Sequence, residues 1–527
     1  MFRTCLLFLP LSLFLFGLIA CASPRSPTGG AKDVKPPAIV EEQSTPNKQT
    51  NFHEKQITIV FDEWIILKDI YTQLVVSPLM PHDPDIKQKG KGLVIKLPDS
   101  LRANTTYTIN FGNAIADLNE NNVLENYAFV FSTGNELDSV RLTGNVINAF
   151  TLKPADGVWV MLYQVGEDSA IYKHKPEYVA KTNKEGKWIM SNLRRDSFEL
   201  VALKDDNQNF LYDQEGELIG WREEVIHTDN PEIKIPEIKV FPRENRNRIN
   251  QIINVAPGWL KVVIDAPHPK PKPLFLPELT ENISTWDGDT LQIWYDPAKN
   301  YAGYAVMNDD STLIRASQTK SLLSLPATVR LTAGRLRPGA HAIFLSATPI
   351  MVFDTSKISL QLDSLGNIPF IIEKNQIDPR KFELSAGWVE QKRYNLTFLP
   401  GAITDYWGRI NDTIRESLVV TGTDQYGDLT MTIDGMDSTK QYLLLIKEGE
   451  QIRDTFVIEH HSMIHLTKKG LAPGKYNIEM IEDLNQNGVW DTGNYYVRRQ
   501  PERKMMFIPD NLRAGWELEV KMTWISS

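Results

Sequence analysis

Apolar and polar positions in this chain alternate in short bursts rather than at helical spacing. Segments such as Gln56-Ile-Thr-Ile-Val-Phe61, Gly92-Leu-Val-Ile-Lys-Leu97, Tyr107-Thr-Ile-Asn-Phe111 and Tyr127-Ala-Phe-Val-Phe-Ser132 are rich in β-branched and aromatic residues, and Asn, Asp, Gly and Pro separate them. A period of two bounded by turn residues predicts half-buried strands. No long segment carries a convincing apolar stripe at helical spacing. The pattern therefore predicts an all-β chain of tandem β-sandwiches rather than an α/β enzyme core.

The pattern repeats. Tyr107-Thr-Ile-Asn-Phe111 followed by Ala114-Ile-Ala-Asp117 is echoed by Tyr394-Asn-Leu-Thr-Phe398 followed by Ala402-Ile-Thr-Asp405. Each copy runs on to a strand ending in Thr, at Thr133 and Thr421. A second pair follows the first: Phe198-Glu-Leu-Val-Ala-Leu203 leads to Asp205-Asp-Asn-Gln-Asn209, and Tyr476-Asn-Ile-Glu-Met480 leads to Asp483-Leu-Asn-Gln-Asn487. Self-similarity of this kind predicts two module types, A and B, in the order A, B, spacer, A, B. About 100 to 150 residues per domain agrees with four or five domains.

The N-terminus reads differently. One early cation, Arg3, precedes an apolar run from Cys5 to Phe16, and Pro/Gly-rich polar sequence follows at once. The run is short for a membrane span and predicts a cleaved signal peptide over residues 1–20. Leu18-Ile-Ala-Cys21 resembles the bacterial lipobox, which implies cleavage before Cys21 and lipidation of its thiol. The competing reading is an ordinary secretory signal in which Cys21 is incidental. Residues 21–35 carry almost no apolar side chains and predict a flexible tether spanning roughly 50 Å at about 3.3 Å per residue.

Composition narrows the function. The chain's 2 cysteines are Cys5, which would leave with the signal, and Cys21. No thiol then remains for disulfides, thiol catalysis or a cysteine metal site. Stability must come from apolar burial, for which 42% hydrophobic content over 527 residues suffices. A formal net charge of -9 without a Lys/Arg run argues against nucleic acid as a partner.

Residues 36–133, with Phe61-Asp-Glu63, the Asn104-Thr-Thr-Tyr-Thr-Ile-Asn-Phe111 block and the closing Phe131-Ser-Thr133, resemble the bacterial Ig-like domain of surface-layer proteins. Residues 139–235, with Gly144, Val146, Gly157-Val158, Thr182 and Trp188, resemble the carboxypeptidase-regulatory or transthyretin-like β-sandwich. The whole chain, including Ser26-Pro-Thr-Gly-Gly30, is similar to Bacteroidetes outer-membrane lipoproteins with Ig-like domains. The resemblance implies an Ig-like domain at 36–135, a transthyretin-like sandwich at 136–241, a β-sandwich spacer at 242–332, a second Ig-like domain at 333–422 and a C-terminal transthyretin-like sandwich at 423–527. It identifies architecture and leaves the chemistry open.

The most chemical-looking feature is Asp-x-Asn-x-Asn-x-x-x-Asp/Glu, found at Asp117/Asn119/Asn121/Glu125, Asp205/Asn207/Asn209/Asp213 and Asp483/Asn485/Asn487/Asp491. Oxygen donors at positions 1, 3, 5 and 9 match the first part of a calcium loop. The glycine expected at position 6 occurs only in the third copy, as Gly488, and the twelfth positions are Ala128, Gly216 and Asn494. Two readings stand: Asp and Asn capping tight turns through their own backbone, or calcium, with the third copy the better match.

Sequences typical of catalytic sites are absent: no Gly-x-Ser-x-Gly, His-Glu-x-x-His, Walker loop or dinucleotide fingerprint occurs. His460-His461 has no patterned ligands nearby, and adjacent acids such as Asp62-Glu63 face opposite sides of a strand. Of 12 tryptophans, Trp286, Trp294 and Trp407 fall on expected loops or edges and are candidates for glycan stacking, against core filling as the commoner use. Asp-Ser/Thr pairs such as Asp99-Ser100 and Asp412-Thr413 are similar to Bacteroidetes O-glycosylation signals and equally frequent in turns. The expectation is a non-enzymatic lipoprotein held to the outer membrane, on its surface or periplasmic face, acting as an interaction scaffold. Its partner would be an outer-membrane assembly or export complex; the alternative is a surface glycan-binding lipoprotein of a nutrient uptake system.

Overall fold

A computed structural model describes residues 32–166, 169–243, 248–265, 270–308, 310–318, 327–362 and 366–525. The chain is an all-β series of β-sandwiches, with five hydrophobic cores following one another along the described residues. The apolar run before Cys21, and Cys21 itself, lie outside the described residues.

In the first module, Gln56–Val60, Gly92–Lys96 and Asp85–Lys89 form one antiparallel sheet, and Val75–Ser77, Thr106–Asn110 and Ala128–Ser132 form the facing one. Alternation places Ile57, Ile59, Tyr107, Ile109, Phe129 and Phe131 between them, all fully buried. A short pair, Ile65–Leu67 with Ile115–Asp117, closes one end. The fourth module repeats this plan: two four-stranded sheets, and a short pair made by Ile350–Phe353 and Ile403–Asp405.

The second and fifth modules share another plan, in which a late strand runs parallel to the first. Ile238–Pro242 pairs in parallel with Val140–Asn148, and Glu517–Thr523 does so with Gly427–Asp434. Gly144 is required in the second module because a Cβ there would lie 2.9 Å from Trp188 Cζ2. The central strands Trp159–Gln164 and Ser197–Lys204 contain continuous apolar runs, over 159–163 and 200–203, which demand burial on both faces. Val160, Leu162, Leu200 and Ala202 face the module's own core, whereas Trp159, Met161, Val201 and Leu203 join a separate outer cluster.

Between them lies the third module. Its core sits between the sheet containing Arg248–Ala256, Trp259–Asp265, Thr290–Trp294 and Ile283–Asp287 and the sheet of Leu274–Leu276, Gly303–Met307 and Asp310–Ile314.

Polar bonds fix the joints. Glu177, 8% exposed, accepts from Arg102 at 3.2 Å and from Arg194 Nη2 at 2.9 Å, tying the first module to the second. A buried carboxylate is tolerable only when charged partners satisfy it, so losing Arg194, which bonds both oxygens, would leave it poorly paired. Ser77 Oγ accepts from Val179 N at 3.1 Å, and Asn192 donates to Thr108 at 2.8 Å across the same joint. Arg380 holds Asp378 at 2.8 Å and Asp287 at 3.2 Å, joining the fourth module to the third.

The chain also folds back on itself. Tyr495 of the fifth module is a buried member of the second module's outer cluster and packs edge-on against Trp221 at 5.1 Å and Tyr172 at 6.3 Å. Trp490 lies 5.2 Å from Phe150, Lys504 Nζ 4.3 Å over the Phe150 ring, and Thr492 donates to the Pro242 carbonyl at 2.7 Å. The doubly buried strands of the second module thus find their outer cover partly in a module some 250 residues away.

Candidate functional site

The three Asp-x-Asn-x-Asn segments follow short or central strands and begin with an aspartate at the strand's end. Their aspartates have different partners. Asp117 Oδ1 accepts the N–H groups of Asn119, Glu120 and Asn121, and Oδ2 accepts that of Asn122 at 2.6 Å. Burial opposes ionisation of Asp117, but the four N–H bonds outweigh it and hold its pKa below the usual carboxylate value. Asp405 stands at the matching place in the fourth module and accepts from Trp407 N, Arg409 N and Thr348 Oγ1. Both are turn caps of the plan that the first and fourth modules share.

The loops of the second and fifth modules share a different arrangement. Asp205 accepts the N–H of Asn209 at 3.3 Å and of Phe210 at 2.7 Å, and Asp483 accepts those of Asn487 at 3.1 Å and Gly488 at 2.9 Å. Asn207 and Asn209 donate their amides to Asp213, at 3.1 and 2.7 Å, and Asn485 and Asn487 donate theirs to Asp491, at 2.6 and 2.8 Å. Gln208 and Phe210 have φ of 59° and 63°, matched by Gln486 at 59° and Gly488 at 81°. Phe210 therefore sits in left-handed backbone where the other copy has glycine, and its ring packs edge-on to Trp159 at 4.9 Å, which offsets that strain.

Each loop also meets a buried glutamate that sequence spacing missed. Glu217, at position 13 of its loop and 0% exposed, accepts the N–H of Asp213 and Gln214 through Oε2, each at 3.0 Å, while Oε1 has no hydrogen-bond partner. Burial pushes its pKa up, and the charges of Asp205 and Asp213 add to that against the two N–H bonds. Glu502, twenty residues into its loop, accepts Leu484 N at 2.8 Å through Oε1 and Asp491 N at 3.0 Å through Oε2. Burial pushes its pKa up to about 7, with the Asp491 and Asp483 charges contributing. A glutamate just before the strand Leu218–Trp221 was the signal available for the first of them. In this arrangement the asparagine amides, not acids alone, fill the loops, and among the described residues no group of three or more His, Cys, Asp or Glu stands ready to hold a metal.

The aromatic candidates lie elsewhere. Trp407 donates its indole N–H to the Tyr295 carbonyl at 3.0 Å, with the Arg409 guanidinium 4.7 Å from its ring, at the joint of the third and fourth modules. Trp286 is half-buried against the third core with Lys270 5.8 Å from its ring, and Trp294 is fully buried. One tryptophan that sequence reasoning did not single out is Trp516. It is 59% exposed and lines a cleft of about 450 Å³ between the fourth and fifth modules, with Arg337, Tyr426, Asp428, Lys469 and Glu517. His460 and His461 lie exposed just beyond the strand Gln451–Glu459.

The geometry defines a multi-module β-sandwich protein whose first unit follows the Ig plan. Residues 33–133 match the family model of the bacterial Ig-like domain. No curated protein matches the chain. Among solved structures it is similar to the Bacillus anthracis TIE protein, with 11% identity over 95% of this chain and 76% of that one at a TM-score of 0.16. It is also similar to the S-layer protein SbsC, with 10% identity over 87% of this chain and 65% of that one at a TM-score of 0.14. A further similarity is to SGBP-B of the Bacteroides ovatus mixed-linkage glucan utilization locus, solved with a mixed-linkage heptasaccharide, with 10% identity over 64% of this chain and 89% of that one at a TM-score of 0.18. Among the described residues no helix is long and apolar enough to cross a membrane.

Proposed function

We propose that this chain is a non-enzymatic interaction scaffold, tethered to the outer membrane through lipid on Cys21 and serving as an accessory subunit of an outer-membrane assembly or export complex. The lipobox-like Leu18-Ile-Ala-Cys21 supports the anchor. The observation that carries the interaction role is the strand Gln451–Glu459, nine residues long at the end of its sheet, with Ile452 and Val457 more than half exposed. A long edge strand with unpaired backbone groups and outward apolar side chains is a template for another chain. Rigid joints at Glu177, Arg380 and Tyr495 would keep such an edge at a defined distance from the membrane. Crosslinking followed by purification from detergent-solubilised membranes is expected to recover an outer-membrane protein. Recovery of the chain alone, or extraction without detergent, would overturn the reading.

A second reading, glycan binding, is favoured by the Trp516 cleft, where an exposed indole stands beside Asp428, Glu517, Arg337 and Lys469. An aromatic face flanked by charged hydrogen-bonding groups suits a sugar ring. Binding on a glycan array that is lost in Trp516→Ala, and kept in Trp286→Ala and Trp407→Ala, would place that function in the cleft.

A further inference from the structure

We propose that the Trp516 cleft binds a short stretch of a neutral pyranose chain, one ring stacked on the indole and its hydroxyls held by Arg337, Lys469, Asp428 and Glu517. The proposal rests on the glycan reading of that cleft and names the ligand class. The floor of the cleft is one end of the outer face of the sheet made by Ile464–Leu471, Gly427–Asp434 and Glu517–Thr523. Alternation sends Leu429 and Val520 into the core and leaves Asp428 and Glu517 outside, side by side in the parallel register of their strands. Arg337 lines the cleft from the fourth module.

The indole is held in place before any ligand arrives. Asp428 N donates to the Trp516 carbonyl at 2.9 Å and Gly515 N to that of Tyr426 at 2.8 Å, which pins the turn, while the Arg513 guanidinium lies 5.0 Å from the ring centroid. A platform already ordered loses little freedom on binding. The charged groups are oriented in the same way: Asp428 Oδ1 accepts Gly470 N at 2.9 Å, Glu517 Oε1 accepts Thr430 Oγ1 at 2.6 Å, and Arg337 Nη1 donates to the Lys469 carbonyl at 2.9 Å. Each keeps bonding capacity, and Lys469 Nζ pairs with none of the described residues. Sugar hydroxyls both donate and accept, so carboxylates and cations around one stacked ring satisfy them together.

The charge count selects a neutral chain. Two cations and two carboxylates cancel, so a uronate gains no net attraction and brings its own carboxylate into the field of Asp428 and Glu517. An amino sugar meets Arg337 and Lys469 likewise. At about 450 Å³ the cleft takes a short segment rather than a whole chain.

Calorimetric titration of the full chain with cellohexaose, mannohexaose and xylohexaose, and with hexamers of galacturonate and glucosamine, tests this. The expected result is saturable binding of a neutral hexamer, at least tenfold tighter than either charged one and weakened at least tenfold in Trp516→Ala and in Arg337→Ala. Both side chains are exposed, so both variants are expected to keep the fold, which circular dichroism checks. Trp516-dependent binding of a charged hexamer as tight as the neutral ones, or binding that Arg337→Ala leaves unchanged, would overturn the proposal and leave the glycan reading standing. Binding of no hexamer, or binding unchanged in Trp516→Ala, would overturn both.

Discussion

The turn after Asp117 and the loop after Asp205 share one spacing of Asp and Asn but use it for different ends. Asp117 gathers four N–H groups of its own turn and finishes its work inside the first module. Asp205 gathers two, leaving its loop to reach a buried glutamate on one side and a neighbouring module on the other. The loop after Asp483 follows the second pattern, and its position-8 aromatic, Trp490, joins the same cluster as Tyr212 at position 8 of the earlier loop. A repeated motif thus says where a turn lies, and its surroundings say whether the turn is an end or a joint.

Four experiments would break or sharpen this comparison. The largest effect is expected from Tyr495→Ala, which empties a buried aromatic position between the modules and should cost about 3 to 4 kcal/mol in a urea titration. An unchanged midpoint would mean that the fold-back joint contributes no stability. Next is pH. Glu502 in the folded chain titrates at about 7, above an ordinary glutamate, so the folded state holds a proton that the unfolded chain gives up near pH 4.5. The stability this adds is fully present below about pH 4.5 and is lost as pH rises through 7, amounting to at most about 3 kcal/mol. Thermal unfolding in chelator from pH 4.5 to 8 should show that decline, and Glu502→Gln should flatten it.

Asp205→Ala leaves the Phe210 N–H without its acceptor and should cost about 2 kcal/mol, less when Tyr495 is already alanine. Asp117→Ala should destabilise the first module equally with or without Tyr495→Ala, since its bonds are all internal. Coupling of Asp117 to Tyr495, or its absence at Asp205, would erase the distinction between turn and joint. The smallest effect is expected at Gln208, exposed and at φ 59°, where Gln208→Gly should gain under about 1 kcal/mol by relieving left-handed strain. A loss there in denaturant titration would show that the side chain, not the backbone, matters.

Much of the architecture was legible in the sequence because strand identity is local. Ile57 and Ile59 are buried in alternation as Gln56-Ile-Thr-Ile-Val predicts, and the echo of Tyr107 and Asp117 in Tyr394 and Asp405 marks two modules built on one plan. The strand Trp159–Gln164 announced burial on both faces by its unbroken apolar run. Its sequence could not name the cover, because Tyr495 lies more than three hundred residues away. The candidate site was half legible. Donors at positions 1, 3, 5 and 9 stand out in the sequence, whereas Glu217 and Glu502 do not, because only the fold returns them to their loops. Likewise, Trp407 reads as an exposed loop tryptophan until its indole N–H is seen bonded to Tyr295 of another module.

By itself the sequence determined the all-β class, the repeat of two module plans and the placing of each Asp-Asn turn, since alternation and turn chemistry act within a few residues. Tertiary structure alone decided which carboxylate oxygen lacks a donor, which tryptophan faces a cleft and which module covers the outer face of the second. Those depend on desolvation and contact between segments far apart in the chain, and local pattern carries no record of which distant surfaces meet.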